Sequence, residues 1–315
     1  MRSSPNCPTC RRATSACPRK ARTSPTRTGT EPVSATSSAQ RTFSFEFFPP
    51  KTPEGKDKLR ATWQQLALLK PRFFSVTFGA GGSTQAGTLD TVLEIRKAGH
   101  QAAPHLSCVA SSKAEIAAIL AQYKASGIRH IVALRGDLPS GVAMAGELRY
   151  ANELVAFIRE TTGDWFHIEV GCYPEYHPQT RNAGDEVKNF RKKVDAGANA
   201  AITQYFYNAD AYFRFVDESR AAGITIPIVP GIMPIGNFSQ LARFSDACGA
   251  EIPRWMRIKF EGYRDDSASI RAFGLDVVSA LCEKLLAAGA PGLHFYTLNQ
   301  AALSTEIWQR LKLEA

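Results

Sequence analysis

The sequence predicts a (β/α)8 TIM barrel, a single domain over residues 41–315 behind a disordered basic tail over residues 1–40. Three observations carry this. Eight short β-rich runs recur from residue 42 onward, helical-period segments alternate with them, and the span matches the ~250 residues such barrels typically use. A hydrophobic content of 44% is enough for a large core.

The first strand is read in "TFSFEFFP" (42–49), followed by an amphipathic stretch over 56–70 and a second strand in "FFSVTFG" (73–79). "AAPHLSC" (102–108) leads to "KAEIAAILAQYKASG", where Gly127 stops the helix. "HIVALRG" (130–136), "FHIEVGCY" (166–173) and "AAITQYF" (200–206) continue the series. "ADAYFRFVDESRAAG", ending at Gly223, precedes the seventh run, "PIVPGIM" (227–233). Residues 250–290 add one helix beyond the regular pattern, and "LHFYTLN" (293–299) with "NQAALSTEIWQRLK" closes the barrel. A doubly wound sheet is the rival, but "GAGGST" (79–84) has Thr84 where a dinucleotide fingerprint needs its third glycine, so it reads as a tight βα turn.

The formal charge of +9 is concentrated in the tail, where seven basic residues face Glu31 alone and supply six of the nine charges. The near-neutral body carries no basic stripe, which argues against nucleic-acid binding. The tail is rich in Ser, Thr, Pro and Arg and is too poor in aliphatic pattern to offset the entropy of ordering. Seven dispersed cysteines point to a reducing compartment and a cytoplasmic protein, and no run is long and apolar enough to span a membrane. Cys7 and Cys10 have zinc-like spacing, but a structural zinc site wants four ligands and the first histidine is His100.

In a barrel of this kind, chemistry sits at the C-terminal strand ends. That places Thr77, His105, Arg135, Asp137, Tyr173, His177, Gln204 and Asn299 at the mouth, with Glu46 near the end of the first strand. His100, His130, His167 and His294 fall elsewhere and read as structural or solvated. No zinc-protease, Walker or nucleophile-elbow motif is present, and no His/carboxylate set shows ligand spacing, so no metal is expected. Acids, an amide and a histidine among aromatics suggest acid/base or redox work around an organic cofactor.

"FSFEFFPPKTPEG", "SVTFGAGGST", "HIVALRGDLP", "YPEYHP", "KKVDAGANAAITQYFY", "PGIMPIGNF" and "HFYTLN", in this order and spacing, resemble the catalytic barrel of the methylenetetrahydrofolate reductase family over residues 42–312. The resemblance implies an FAD enzyme of one-carbon metabolism and methionine biosynthesis. It would move hydride from NADH or NADPH through the flavin, in ping-pong fashion, onto 5,10-methylenetetrahydrofolate to give 5-methyltetrahydrofolate. Small-molecule partners and a homo-oligomer are expected, with no nucleic acid and no membrane. A second reading keeps the barrel as a binding subunit that depends on a partner for electrons.

The same resemblance implies residue roles. Glu46 is the general acid, and Asp137 is a carboxylate beside folate and flavin. Thr77, Ala80, His105, Arg135, Gly136, Asp137, Ala151, Tyr173, His177, Glu186, Asn189 and Lys193 hold FAD, while Asp137, Gln204, Gln240 and Gln300 face folate. Glu186, Asn189 and Lys193 share a helix face at i, i+3 and i+7. Gln300 stands where many family members carry arginine. Phe43, Phe45, Phe47 and Phe48 around Glu46 predict a raised carboxyl pKa.

Overall fold

The structure is a computed structural model. It describes residues 41–79, 85–137, 146–180, 182 and 184–314, so the tail and Ala80 lie outside the described residues.

Every strand pairs in parallel with its neighbours. The chain runs β1 (Thr42–Phe47), α1 (Pro53–Ala67), β2 (Phe73–Val76), α2 (Gln85–Lys97), β3 (Ala102–Ser107), α3 (Lys113–Ala125), β4 (His130–Leu134) and α4 (Ala151–Thr162). It continues with β5 (His167–Cys172), α5 (Asp185–Asp195), β6 (Ala200–Thr203), α6 (Ala209–Ala221), β7 (Ile228–Val229) and β8 (Gly231–Ile232). Then come α7 (Phe238–Cys248), α8 (Arg254–Tyr263), α9 (Ser267–Ala287), β9 (Gly292–Tyr296) and α10 (Ala302–Arg310).

All eight predicted strand runs form, the seventh as two segments. β7 pairs with β6, and β8 pairs with β9. Pro230 separates them because it has no N–H to offer a ladder, yet its carbonyl accepts from His294 N at 3.0 Å. One run of chain therefore serves both neighbours, and the barrel closes. The single extra helix expected over 250–290 is instead two, α8 and α9, with Arg264 in the left-handed region at φ 51° between them.

Period-two alternation sorts the strands into two cores. Outward residues pack under the helices: Phe43 meets Trp308 edge-on at 4.8 Å, Phe45 stacks on Phe295 at 5.4 Å, and Phe47 stacks on Phe74 at 5.5 Å. Inside the barrel a smaller apolar plug of Phe73, Ala103, Val132 and Ile202 packs with Leu134 and Tyr296. Ser44, Glu46, His105, Glu169 and His294 are polar or ionisable residues that also face the interior.

Helix starts follow local capping chemistry. Thr52 caps α1 ahead of Pro53, and Ser112 with Glu115 forms a reciprocal capping box on α3. Asn208, Asn237 and Asp266 cap α6, α7 and α9.

Gly231 is required by a side chain that crosses it. The Tyr296 hydroxyl donates to the Thr203 carbonyl at 2.7 Å, and a Cβ at residue 231 would run into that carbonyl and the Tyr296 ring. Gly231→Ala is therefore expected to destabilise the fold by about 1–3 kcal/mol, the usual cost of overpacking. Urea unfolding checks this, and unchanged stability would contradict the crossing.

Candidate active site

Alternation along β1 turns Ser44 and Glu46 inward while the phenylalanines on either side turn out. Glu46 therefore does not sit in a phenylalanine pocket. His294 Nε2 lies 3.3 Å from Glu46 Oε2, and the other ring nitrogen of His294 shares a 2.7 Å hydrogen bond with Ser44 Oγ. His105 Nε2 also comes within 3.3 Å of Glu46 Oε2, but without an aligned N–H, and this buried nitrogen has no hydrogen-bond partner.

The predicted rise in the Glu46 pKa is overturned by these contacts. Burial pushes the carboxyl up, but His105 through charge, and then His294 through hydrogen bonding and charge, outweigh it, holding it at about 2. At neutral pH the group is a carboxylate between two imidazoles.

The end of β9 holds the end of β1 in place. Thr297 Oγ1 donates to the Glu46 carbonyl at 2.7 Å. Asn299 acts as a surrogate strand, accepting from Phe48 N at 3.0 Å and donating to Phe48 O at 2.9 Å. Leu298 and Asn299 both adopt left-handed backbone, φ 51° and 57°, a pairing uncommon outside glycine.

The other predicted site residues gather around the C-terminal strand ends in different degrees. Thr77 follows β2, with its backbone N–H on Phe47 O at 2.8 Å. Arg135 follows β4, with Nε on Gly136 O at 3.1 Å and a second nitrogen on Gln179 Oε1. Gly136 has φ 85°, and a Cβ there would be 2.8 Å from Ser107 Cβ, so glycine alone lets this loop lie against β3. Asp137 next to it is exposed.

Tyr173 and His177 meet edge-on at 4.7 Å. Burial, then Asp137, pushes the Tyr173 hydroxyl up to about 12, while burial and Arg135 lower the His177 pKa. Ala151 is buried at the start of α4.

On α5 the predicted shared face divides. Glu186 is buried, taking the His177 N–H at 2.9 Å and the Thr180 hydroxyl. Lys193 reaches the Gly171 carbonyl at 2.8 Å, and burial lowers its pKa. Asn189 instead stays exposed with Lys192 Nζ at 3.3 Å, because this part of the helix faces solvent. Gln204 lines a small cleft with Tyr173, Tyr205 and Cys248, its Oε1 taking the Tyr205 N–H at 2.9 Å. Gln240 lies in the first turn of α7, and Gln300 is exposed beyond β9.

The model of the family described as "Methylenetetrahydrofolate reductase" matches residues 33–312. The chain belongs to the methylenetetrahydrofolate reductase family. It is 41% identical to the 5,10-methylenetetrahydrofolate reductases of Escherichia coli K12 and Salmonella typhimurium LT2, over 85% of this chain and 90% of theirs. A rice protein described as a probable methylenetetrahydrofolate reductase (NADH) is 38% identical over 89% of this chain and 49% of its own. Among solved structures, a Clostridium thermocellum protein that binds two copies of 5-methyl-5,6,7,8-tetrahydrofolic acid superposes with a TM-score of 0.63 at 14% identity. That match covers 87% of this chain and 96% of the other, and it supports the barrel fold. The chain is thus a folate-linked oxidoreductase of one-carbon metabolism.

Sequence reasoning missed His294, which it set aside as structural. Its signal was the inward parity it shares with Tyr296 on β9, opposite Ser44 and Glu46. No His/carboxylate set shows ligand spacing along the sequence, but the β4–β5 register brings His130, His167 and Glu169 together. Among the described residues no helix is long and apolar enough to cross a membrane.

A carboxyl depressed in the folded state stabilises the fold above its unfolded pKa and loses that contribution as pH falls through its folded pKa. The stability gap between wild type and Glu46→Gln is therefore expected to narrow as pH falls from 4.5 toward about 2. The slope should be at most about 1.4 kcal/mol per pH unit. Urea melts at stepped pH measure this, and a constant gap would contradict the His105 and His294 pairing.

Proposed function

We propose that the barrel mouth binds FAD and uses NADH or NADPH to reduce 5,10-methylenetetrahydrofolate to 5-methyltetrahydrofolate. The observation that carries this reading is Glu46, an inward carboxylate paired with two histidines at the C-terminal end of β1. The residues present fit a flavin dinucleotide. His105 offers a buried nitrogen without a hydrogen-bond partner, Gly171 carries no side chain into the interior, and Arg135 and Lys193 supply positive charge for a pyrophosphate. Thr77, Ala80, Gly136, Asp137, Ala151, His177, Glu186 and Asn189 complete the proposed cofactor set.

Bound there, FAD would supply ping-pong hydride transfer, taking hydride from the nicotinamide and releasing it to the folate methylene. The rice relative's description favours NADH as donor.

The protein's own task is the proton. Opening the methylene bridge requires a proton on the departing N10 of the folate, and Glu46 delivers it. At rest Glu46 is a carboxylate, so it takes up a proton before it delivers one. When folate covers the mouth and excludes water, the added desolvation favours the neutral carboxyl and so favours that uptake. His294, braced by Ser44, is a positioning residue for this step. Asp137 accepts from the pterin amino group, and Gln204, Gln240 and Gln300 orient the folate. Gln300 meets its distal end with an uncharged amide.

In Glu46→Gln, anaerobic stopped-flow should show NADH still bleaching the flavin. Reoxidation by methylenetetrahydrofolate should fall ~10²–10⁴-fold, because glutamine keeps the shape and loses the proton. Equal slowing of both halves would assign Glu46 to holding the site together, and no slowing of either would remove it from the chemistry.

A further inference from the structure

The N-terminal ends of β4 and β5 hold a second ionisable group for which the reductase reading has no use. His130 opens β4 and His167 opens β5, and the two are register partners, with Glu169 two residues along β5 on the same face. His130 Nε2 is 3.1 Å from Glu169 Oε1, and His167 Nε2 is 3.8 Å from the same oxygen. One donor atom from each of the three lies within 4.8 Å of the others. Glu169 is 4% exposed, and its second oxygen, Oε2, has no hydrogen-bond partner, while the His167 side chain is 46% exposed and opens the group to solvent.

We infer that this group is a binding site for one divalent transition metal of the zinc class, with His130, His167 and Glu169 as ligands and water in the fourth position.

Two imidazoles and a carboxylate are a common zinc donor set, and metal–ligand bonds of about 2.0–2.1 Å in a tetrahedron place donors roughly 3.3–3.5 Å apart. The observed 3.1 and 3.8 Å bracket that spacing. The wider gaps, both at His167, have to close, and the exposed His167 ring can turn to close them. A simple His–Glu–His network explains the geometry less well, because both imidazoles crowd one oxygen and leave the other buried and unpaired, which is costly. A cation on one carboxylate oxygen relieves that crowding, and its bound water can donate to the other oxygen. Arg72 and Arg159 act electrostatically on His167 from nearby, which weakens the hold on a cation. The site joins β4 to β5 at their N-terminal ends, so its role is to staple the barrel.

The purified full-length chain, stripped with a chelator, is titrated with zinc by calorimetry and with cobalt by visible absorption. One equivalent of each is expected, with cobalt d–d bands and no thiolate charge-transfer band. His167→Gln should weaken binding at least tenfold with an unchanged circular-dichroism spectrum, and His130→Gln carries the same expectation should His167→Gln fail to fold. The triple variant Cys7→Ser, Cys10→Ser, Cys17→Ser should still bind one equivalent, which separates this site from the tail cysteines. No binding by wild type, undiminished binding by the histidine variants, or loss in the serine variant would overturn the assignment. None of these readouts depends on flavin or folate.

Discussion

A carboxylate taken into a barrel interior has to be matched by charge, and the mouth is organised around that requirement at Glu46. His105 comes from β3 and His294 from β9, so the pairing draws on strands from both ends of the sequence. β9 then locks the backbone that presents the acid, through Thr297 on the Glu46 carbonyl and Asn299 on both polar groups of Phe48. Tyr296, next to these residues, crosses Gly231 to reach Thr203. The left-handed backbone at Leu298 and Asn299 is strain retained to keep this clamp.

The fold was legible because its signals are local. Eight β-rich runs, helical periods between them and capping residues at the right offsets each act over a few residues. The break at Pro230 could also have been read, since proline cannot continue a ladder. Residues at the strand ends were found for the same reason, because position along a strand is written in the sequence.

What was not legible depends on pairing across the barrel. His294 and Glu46 lie 248 residues apart, and nothing in either neighbourhood announces the other. The phenylalanines misled for a related reason: adjacency in sequence suggested a shared pocket, whereas a strand sends adjacent side chains to opposite faces. His167 and Glu169 were visible as an i, i+2 pair, but His130 joins them only through the β4–β5 register. Asn189 shows the converse limit, since helical spacing grouped it with Glu186 and Lys193 while the packing of α5 left it in solvent.

The barrel interior thus holds two charge clusters separated by function as well as by position. Phe73 touches both, lying 4.2 Å from His130 and 6.2 Å from His294 between ring centroids. The one at the C-terminal strand ends lies where barrel enzymes carry out chemistry, and the other lies where they are held together. At the C-terminal cluster Glu46 rests as a carboxylate. Difference infrared spectroscopy between wild type and Glu46→Gln at neutral pH reads that state directly. Loss of an ionised-carboxylate band pair in the variant is expected; loss of a protonated carboxylic-acid carbonyl band would contradict the account.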